Sequence, residues 1–250
     1  ILDMKGGFGP MSNFLKILIL FFTTVIVADN EIYIDQSGAT ANLDIEQQVV
    51  SNLIGGLLST ANSLTPLDLD GSLMTLDINQ IGSNNKFLGD IWADNYTGFF
   101  NFAGDGNIFT MQTDPSNTFG ADNSNVNVQV TGSTNNLTFN QATAALASNL
   151  DLDWIIQGTG NNITASLDID GATNYMNIDG NDNTITYDGD GTNASSAGYF
   201  NLVHSGGNQR TFNVTQQSTL NNDWLRIISS GSSGTFCINQ NDQGTTTGCQ

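Results

Sequence analysis

The feature of this chain that most constrains its fold is a short unit that recurs along its length. In residues 32–47, two runs of alternating apolar residues flank a turn that contains Gly38 and Asn42. Alternation with a period of two places the apolar side chains on one face of a strand, and glycine and asparagine readily reverse the chain. Such a strand–turn–strand unit is too small to bury its own apolar face, so it requires neighbours of the same kind.

Units of the same plan follow throughout the chain. Each has an apolar residue or glutamine, a glycine two positions later, an asparagine after two or three further residues, and a closing glutamine or acid. The closing positions lie 22 to 29 residues apart except for one gap of 43, which predicts a decayed repeat that ends near Asp68. The matching positions are Gln36, Gly38, Asn42, Gln47, Gln80, Gly82, Asn85, Asp90, Gly104, Asn107, Gln112, Gly132, Asn136, Gln141, Gly158, Asn161, Ser166, Gly180, Asn183, Asp188, Gln216 and Gln240.

This period predicts the fold class, because a regular spacing of a few tens of residues is typical of repeat architectures. We expect an all-β protein, a β-solenoid of stacked strand–turn–strand repeats of roughly 22–29 residues, with about nine two-strand rungs. Two stretches, 44–61 and 141–150, also have partial helical spacing. The first of them equally fits a pair of strands interrupted by glycines.

Two of the units resemble a known repeat. Gln80-x-Gly82-x-x-Asn85, and the unit that runs from Gln36 to Gln47, are similar to the Gln-x-Gly-x-x-Asn…Gln motif of curlin repeats. Curlins are secreted bacterial subunits of curli-type amyloid fibres. In most other units Phe, Val or Ile replaces the first glutamine. The resemblance implies a subunit that assembles by strand pairing.

Stacked rungs offer a role for the glutamines as well. In a column of equivalent positions, amide side chains can hydrogen-bond to the copies above and below. One such column would hold Gln47, Gln112, Gln141, Gln216 and Gln240, interrupted by Asp90 and Asp188. The alternative is that these residues are solvated strand ends, and the sequence does not decide between the two.

The N-terminal region is predicted to lie outside the repeat domain. Residues 1–10 are interpreted as a leader that is not translated, with Met11 as the start, and residues 11–28 as a secretory signal peptide. The apolar run 17–27 is too short for a membrane anchor. Residues 29–250 would then form a single solenoid domain that is secreted to the extracellular space or the cell surface of a bacterium.

The charge of the chain excludes two classes of partner. The chain carries 5 basic and 24 acidic residues, a net charge of −19. Without residues 1–28 it keeps three basic residues, Lys86, Arg210 and Arg226, against 23 acidic ones. Nucleic acids and anionic lipids require clustered Lys and Arg, so we expect neither as a partner. We also expect no membrane span, because the apolar run 17–27 is too short.

The sequence contains no motif that predicts catalysis, and we expect no enzyme, no cofactor and no metal site. The single histidine, His204, is interpreted as a turn residue that replaces glutamine before Gly206. The acidic pair Asp151 and Asp153 resembles a glycosidase pair only in composition. The stretch 179–190 is rich in Asp, Asn and Gly, as calcium loops are, but turn formation explains it without a metal.

Cys237 and Cys249 are the only cysteines. In an exported protein we expect a disulfide within the chain that caps the last rung, and the competing interpretation is a crosslink between chains. The expected function is a structural subunit of an extracellular curli-like fibre or biofilm matrix that pairs with itself or a related subunit. The alternative is a monomeric solenoid adhesin that binds surface or matrix glycans or divalent cations.

Overall fold

The structure is a computed structural model of the 250-residue chain. It describes residues 30–32, 34–38, 40–48, 52–55, 67–82, 85–93, 95–104, 107–113, 123–133, 135–141, 149–191, 194, 196–218 and 223–241. The predicted leader 1–10, the predicted signal peptide 11–28 and Cys249 therefore lie outside the described residues.

The described residues form β-strands and no helix, which confirms the predicted all-β solenoid. Residues 44–48 and 141, proposed as possible helix starts, lie in strands. The strands are β1 (Asn30–Glu31), β2 (Ile34–Ser37), β3 (Ala41–Gln48), β4 (Asn52–Leu53), β5 (Leu67–Gly71), β6 (Met74–Ile81), β7 (Asp90–Ala93), β8 (Thr97–Ala103), β9 (Ile108–Thr113), β10 (Asn125–Thr131), β11 (Asn136–Gln141), β12 (Asp151–Gln157), β13 (Asn162–Asp168), β14 (Thr173–Asp179), β15 (Thr184–Gly191), β16 (Tyr199–Ser205), β17 (Arg210–Ser218), β18 (Trp224–Ser229) and β19 (Gly234–Asn241).

Two parallel sheets build the solenoid, and the chain alternates between them. The nine-stranded sheet has the order β2–β5–β7–β9–β11–β13–β15–β17–β19, and the eight-stranded sheet has the order β3–β6–β8–β10–β12–β14–β16–β18. Each turn of the chain adds one strand to each sheet. The decayed repeat predicted near Asp68 is present, because Asp68 of β5 pairs with Asp90 of β7. At the C-terminal end the nine-stranded sheet extends one strand beyond its partner.

The core lies between the two sheets. Strand β12 shows the alternation that produces it, since Leu152, Trp154 and Ile156 are buried while the residues between them face outward. Aromatic rings fill much of the space, and the rings of Tyr187 and Phe200 stack across the two sheets with centroids 3.8 Å apart. Full burial of one such apolar side chain stabilises the fold by about 1.5–3 kcal/mol.

The register corrects the phase of the first predicted repeat. The turns that run from the eight-stranded to the nine-stranded sheet form the glycine edge, and the opposite turns form the variable edge. Gly38 lies on the variable edge, between β2 and β3, whereas Gly82 lies on the glycine edge. Gln47 pairs with Gln80, so it opens a repeat and does not close one. The unit 32–47 resembles a repeat in sequence because the turns at both edges lie between strands with the same alternation of apolar residues. The glycines of the glycine edge are Gly82, Gly104, Gly132, Gly158, Gly180 and Gly206.

Candidate functional site

A ladder of buried asparagines runs along the glycine edge. Each of its five regular members follows an edge glycine by three residues and has 0% exposed surface. Asn52 precedes them as the first member and is also buried. Since buried amides must find partners, their contacts decide whether the edge is stable. The regular members are Asn85, Asn107, Asn135, Asn161 and Asn183.

Hydrogen bonds link the ladder from rung to rung. The side-chain amide Nδ2 of Asn85 donates to Oδ1 of Asn52 at 3.0 Å. Farther along, the backbone N–H of Asn107 donates to Oδ1 of Asn135 at 3.1 Å, and the N–H of Asn135 donates to Oδ1 of Asn161 at 3.2 Å. The asparagines thus supply acceptors to turn N–H groups that no strand partner satisfies. The ladder holds consecutive turns at one spacing.

Two of the asparagines predicted as repeat positions lie elsewhere. Asn42 is an exposed residue of β3 that pairs with Thr75. Asn136 is the exposed first residue of β11, and its Oδ1 accepts a bond from Nδ2 of Asn162 at 3.2 Å. The buried position belongs to Asn135. A strict spacing of three residues after the glycine would have selected it.

The edge glycines allow consecutive turns to approach closely. Gly104 has φ +141°, and a Cβ built on it would lie 1.4 Å from the carbonyl oxygen of Gly82. At Gly158, with φ +152°, the corresponding distance to the oxygen of Gly132 is 1.5 Å. No other residue type fits at these positions. The glycines predicted from the repeat therefore serve the stacking of rungs as well as the turn.

The glutamines occupy three columns, not the one column that the repeat alignment suggests. Gln141, Gln216 and Gln240 share an inward column of the nine-stranded sheet, and the backbone of Gln36 has the same register position. Gln112 lies one residue away, in the outward column of Asp90 and Asp188. Gln47 belongs to the eight-stranded sheet. The repeat alignment places the closing residue five positions after the asparagine. Counting from Asn136 instead of Asn135 therefore gives Gln141 instead of Asn140, and a shift of one residue moves the side chain to the opposite face of the strand.

Two kinds of contact engage the side-chain nitrogens of the inward glutamines. Gln80 Nε2 donates to Oε1 of Gln47 at 2.6 Å, so these two form a ladder step. Gln216 Nε2 donates instead to the carbonyl oxygen of Gly198 at 3.3 Å, just before the preceding strand β16 begins. Gln240 repeats that contact with the carbonyl of Asp223 at 3.2 Å.

The asparagine ladder ends at His204. This buried residue of β16 pairs with Ile178, in the column that Gln80 occupies, and its Nε2 lies 3.3 Å from Nδ2 of Asn183. Burial lowers the pKa of the imidazole, the neighbouring Arg210 lowers it further, and Asp179 opposes the shift. His204 does replace a glutamine of the repeat, as predicted, but it lies in a strand and not in a turn.

The two ends of the solenoid expose residues that its middle buries. At the N-terminal end Ile34, Leu43 and Ile45 are only partly buried against the core. At the C-terminal end Phe236 is 45% and Ile238 is 50% exposed, although both are in register with fully buried residues of β17. Among the described residues, β2, β3, β18 and β19 each have a partner on one side only. The free edges and the apolar residues therefore coincide.

The outer faces of the two sheets differ in chemistry. On the eight-stranded sheet Tyr199 and Trp224 are in register, with 46% and 43% of their surface exposed. Phe99, Ile155 and Ile228 are exposed on the same face. The nine-stranded sheet instead carries a column of half-buried threonines, Thr110, Thr138, Thr164 and Thr186.

The remaining candidate side chains, which are acidic residues and a cysteine, do not come together in one site among the described residues. Within the described residues no group of three or more His, Cys, Asp and Glu side chains is placed to hold a metal ion. Asp153 lies beside Asp151 on an outer face, and partial burial, with a smaller effect of Asp151, raises its pKa. Cys237 of β19 is disulfide-bonded. The part of the chain that the structure describes contains no helix long and apolar enough to cross a membrane.

Comparison of the chain with protein-family models, with curated proteins and with solved structures gives no significant match. The function must therefore be inferred from the fold of the solenoid and from the contacts of its edges and faces.

Proposed function

We propose that this protein is a secreted structural subunit that assembles with copies of itself, end to end, into an extracellular fibre or matrix of the curli type. The proposal depends on one observation: at both ends of a regular solenoid, the last strand of each sheet has a described partner strand on one side only, and core residues there are partly exposed. Unpaired edges are templates for pairing with another chain. The role is structural and involves no chemical step.

The columns of the two ends support stacking of one copy on another. If β2 of one copy pairs with β19 of the next in the register of the sheet, Ile34 continues the column of Ile238, and Gln36 continues that of Gln240. An apolar residue then covers an apolar one. Further burial of the partly buried Ile34 and the exposed Ile238 supplies part of the driving force.

Seeded assembly tests this proposal. Residues 29–250, at high concentration and in salt that screens the net negative charge, should elongate preformed seeds into filaments that electron microscopy detects. Boiled, sonicated seeds of an unrelated protein serve as the control. If the protein remains monomeric under these conditions, the proposed fibre function is wrong.

A specific observation favours a second candidate, an adhesin that binds neutral glycans. The exposed aromatic residues Tyr199 and Trp224 lie in register on the outer face of the eight-stranded sheet. Sugar rings stack on aromatic rings, and the strongly negative chain would not bind acidic polymers. Glycan-array binding that Trp224→Ala abolishes, in a protein that does not polymerise, would support this candidate.

A further inference from the structure

The exposed apolar side chains of the solenoid gather on one surface, the outer face of the eight-stranded sheet. Among the described residues nine large apolar side chains are exposed, and six of them lie on this face. An accumulation of this kind marks an interaction surface, so the face is a candidate docking surface. The six are Ile81, Phe99, Ile155, Tyr199, Trp224 and Ile228.

The charges of this face are distributed unevenly along the stack. One outward column crosses the sheet from Asp44 in β3, through Asp77 in β6, to Arg226 in β18. All three side chains are exposed. The N-terminal end of the face is therefore acidic, whereas its C-terminal end carries a positive charge.

A second copy that packs on this face in the opposite direction matches these charges. A two-fold axis parallel to the strands, between β10 and β12, reverses the order of the rungs and sets each column against its own copy. Asp44 of one copy then lies opposite Arg226 of the other, and Asp77 lies opposite Asn201. The symmetry makes each contact twice. Two copies that run in the same direction would instead set Asp44 against Asp44, and like charges repel.

The acidic residues in the middle of the face meet amides in the same arrangement. Strands β10 and β12 of one copy lie over β12 and β10 of the other, so Asp153 lies opposite Asn127, and Asp151 lies opposite Asn125 in the neighbouring column. An amide can donate a hydrogen bond to a carboxylate. In neither column does a carboxylate lie directly opposite another carboxylate.

The size of the face is sufficient for a stable pair. Eight strands of about seven residues, about 4.8 Å apart and with a rise of about 3.3 Å per residue, cover roughly 34 by 23 Å. The resulting area of roughly 780 Å² per copy is close to the value of about 800 Å² per partner that is typical of specific complexes.

We infer that this protein forms a homodimer in which the outer faces of two eight-stranded sheets pack together with the solenoids antiparallel, and that Asp44 and Arg226 pair across the interface. The dimer does not depend on end-to-end stacking, because stacking uses the ends of the solenoid and the dimer uses its outer face. In a filament the same contact would join two stacks that run in opposite directions.

Sedimentation equilibrium of the purified protein, without seeds and at physiological ionic strength, tests the dimer. A dimer should form at concentrations below about 100 µM. Trp224→Ala should raise its dissociation constant at least about tenfold, whereas Leu73→Ala, an exposed residue between β5 and β6 and outside the face, should change it less than about twofold. Protein that is monomeric at about 100 µM would overturn the inference.

Exchange of the two charges tests the antiparallel arrangement. Arg226→Asp and Asp44→Arg should each raise the dissociation constant several-fold, because each sets like charges opposite each other. The double variant keeps the net charge of the original chain and restores the pair, so its dissociation constant should return to within about threefold of the original value. All variants should keep a β-type circular dichroism spectrum, since the changed side chains are exposed. A double variant at least as weak as the weaker single variant would overturn the arrangement.

The same measurements separate the dimer from the proposed function. Filaments that grow from protein without a dimer would leave the fibre function intact and overturn the dimer. Dimers that respond to the charge exchange but do not elongate seeds would support the dimer and contradict the fibre function. Monomeric protein that binds a neutral glycan through Trp224 would overturn the dimer and assign this face to the adhesin.

Discussion

At the scale of single residues, two adjacent asparagines, Asn135 and Asn136, have different roles although the sequence gives no reason to distinguish them. Asn135 is buried, and its Oδ1 accepts the N–H of Asn107, while Asn136 is exposed at the start of β11. A buried donor that loses its acceptor costs the free energy of its desolvation. The ladder therefore depends on register to within one residue.

Alanine substitutions at these two positions measure that difference. Asn135→Ala should lower the free energy of unfolding by about 1–3 kcal/mol, because it leaves the N–H of Asn107 unpaired. Asn136→Ala, its matched control, should change stability by less than about 0.5 kcal/mol. Urea denaturation of the monomer measures both, and equal effects would contradict the ladder.

A glycine of the same edge gives a second test. Gly158→Ala places a methyl group against the carbonyl of Gly132, where the separation is 1.5 Å. We expect a loss of at least about 3 kcal/mol, against little change for the exposed Thr159→Ala in the same turn. An alanine variant with ordinary thermal stability would show that rungs can separate at this edge.

His204 makes stability depend on pH. Its pKa in the folded protein lies below the ordinary value of 6.5, first because of burial. The unfolded chain therefore binds the proton more readily, and stability falls as the pH drops through 6.5 toward the folded pKa. His204→Gln restores the residue found at Gln47 and Gln80 in this column and should remove that loss. Denaturation curves at pH 7.5 and 5.5 measure the effect, and an unchanged pH dependence in the variant would contradict it.

At the scale of elements, position in the stack decides what a strand substitution does. Ile45 lies in β3 at the N-terminal end and is partly buried, whereas Phe139 lies in the middle of the core and is fully buried. Ile45→Lys leaves most of the core intact but places a charge at the N-terminal end of the stack, in the strand that follows the β2 edge to which another copy would add. Phe139→Lys buries a charge without a partner.

The two lysine variants should therefore fail in different ways. Ile45→Lys should stay folded, with a β-type circular dichroism spectrum, and should elongate seeds at least about tenfold more slowly. Phe139→Lys should lose the folded spectrum at 25 °C. If Ile45→Lys elongates seeds at the normal rate, the N-terminal edge is not a growth face.

The sequence was sufficient to predict the elements but not their phase. Alternation and glycine spacing predicted the strands and the solenoid, because both follow from local rules of one strand and one turn. The sequence pattern places the unit 32–47 half a turn out of phase, because its turn at Gly38 has the composition of a repeat turn. Only pairing between rungs, such as Gln47 with Gln80, distinguishes the two edges. The repeat pattern does not predict Asn52, because no glycine precedes it at the usual spacing.

At the scale of the whole molecule, the protein is a stack of rungs with one regular and one variable edge. The nine-stranded sheet fixes its length at nine strand spacings per copy. End-to-end addition of copies in register would preserve that spacing along a filament. The eight-stranded sheet would then lack one strand at each junction, which marks the boundary between copies.

The axial repeat of filaments grown from residues 29–250 tests end-to-end stacking most directly. Adjacent strands are about 4.8 Å apart, so nine spacings predict a subunit repeat of roughly 43 Å together with a strong layer line at about 4.8 Å. Electron cryomicroscopy of seeded filaments measures both. Filaments with these two periods would support end-to-end stacking of intact solenoids. Protein that stays monomeric with seeds and salt, or filaments with the 4.8 Å line and no longer repeat, would contradict it.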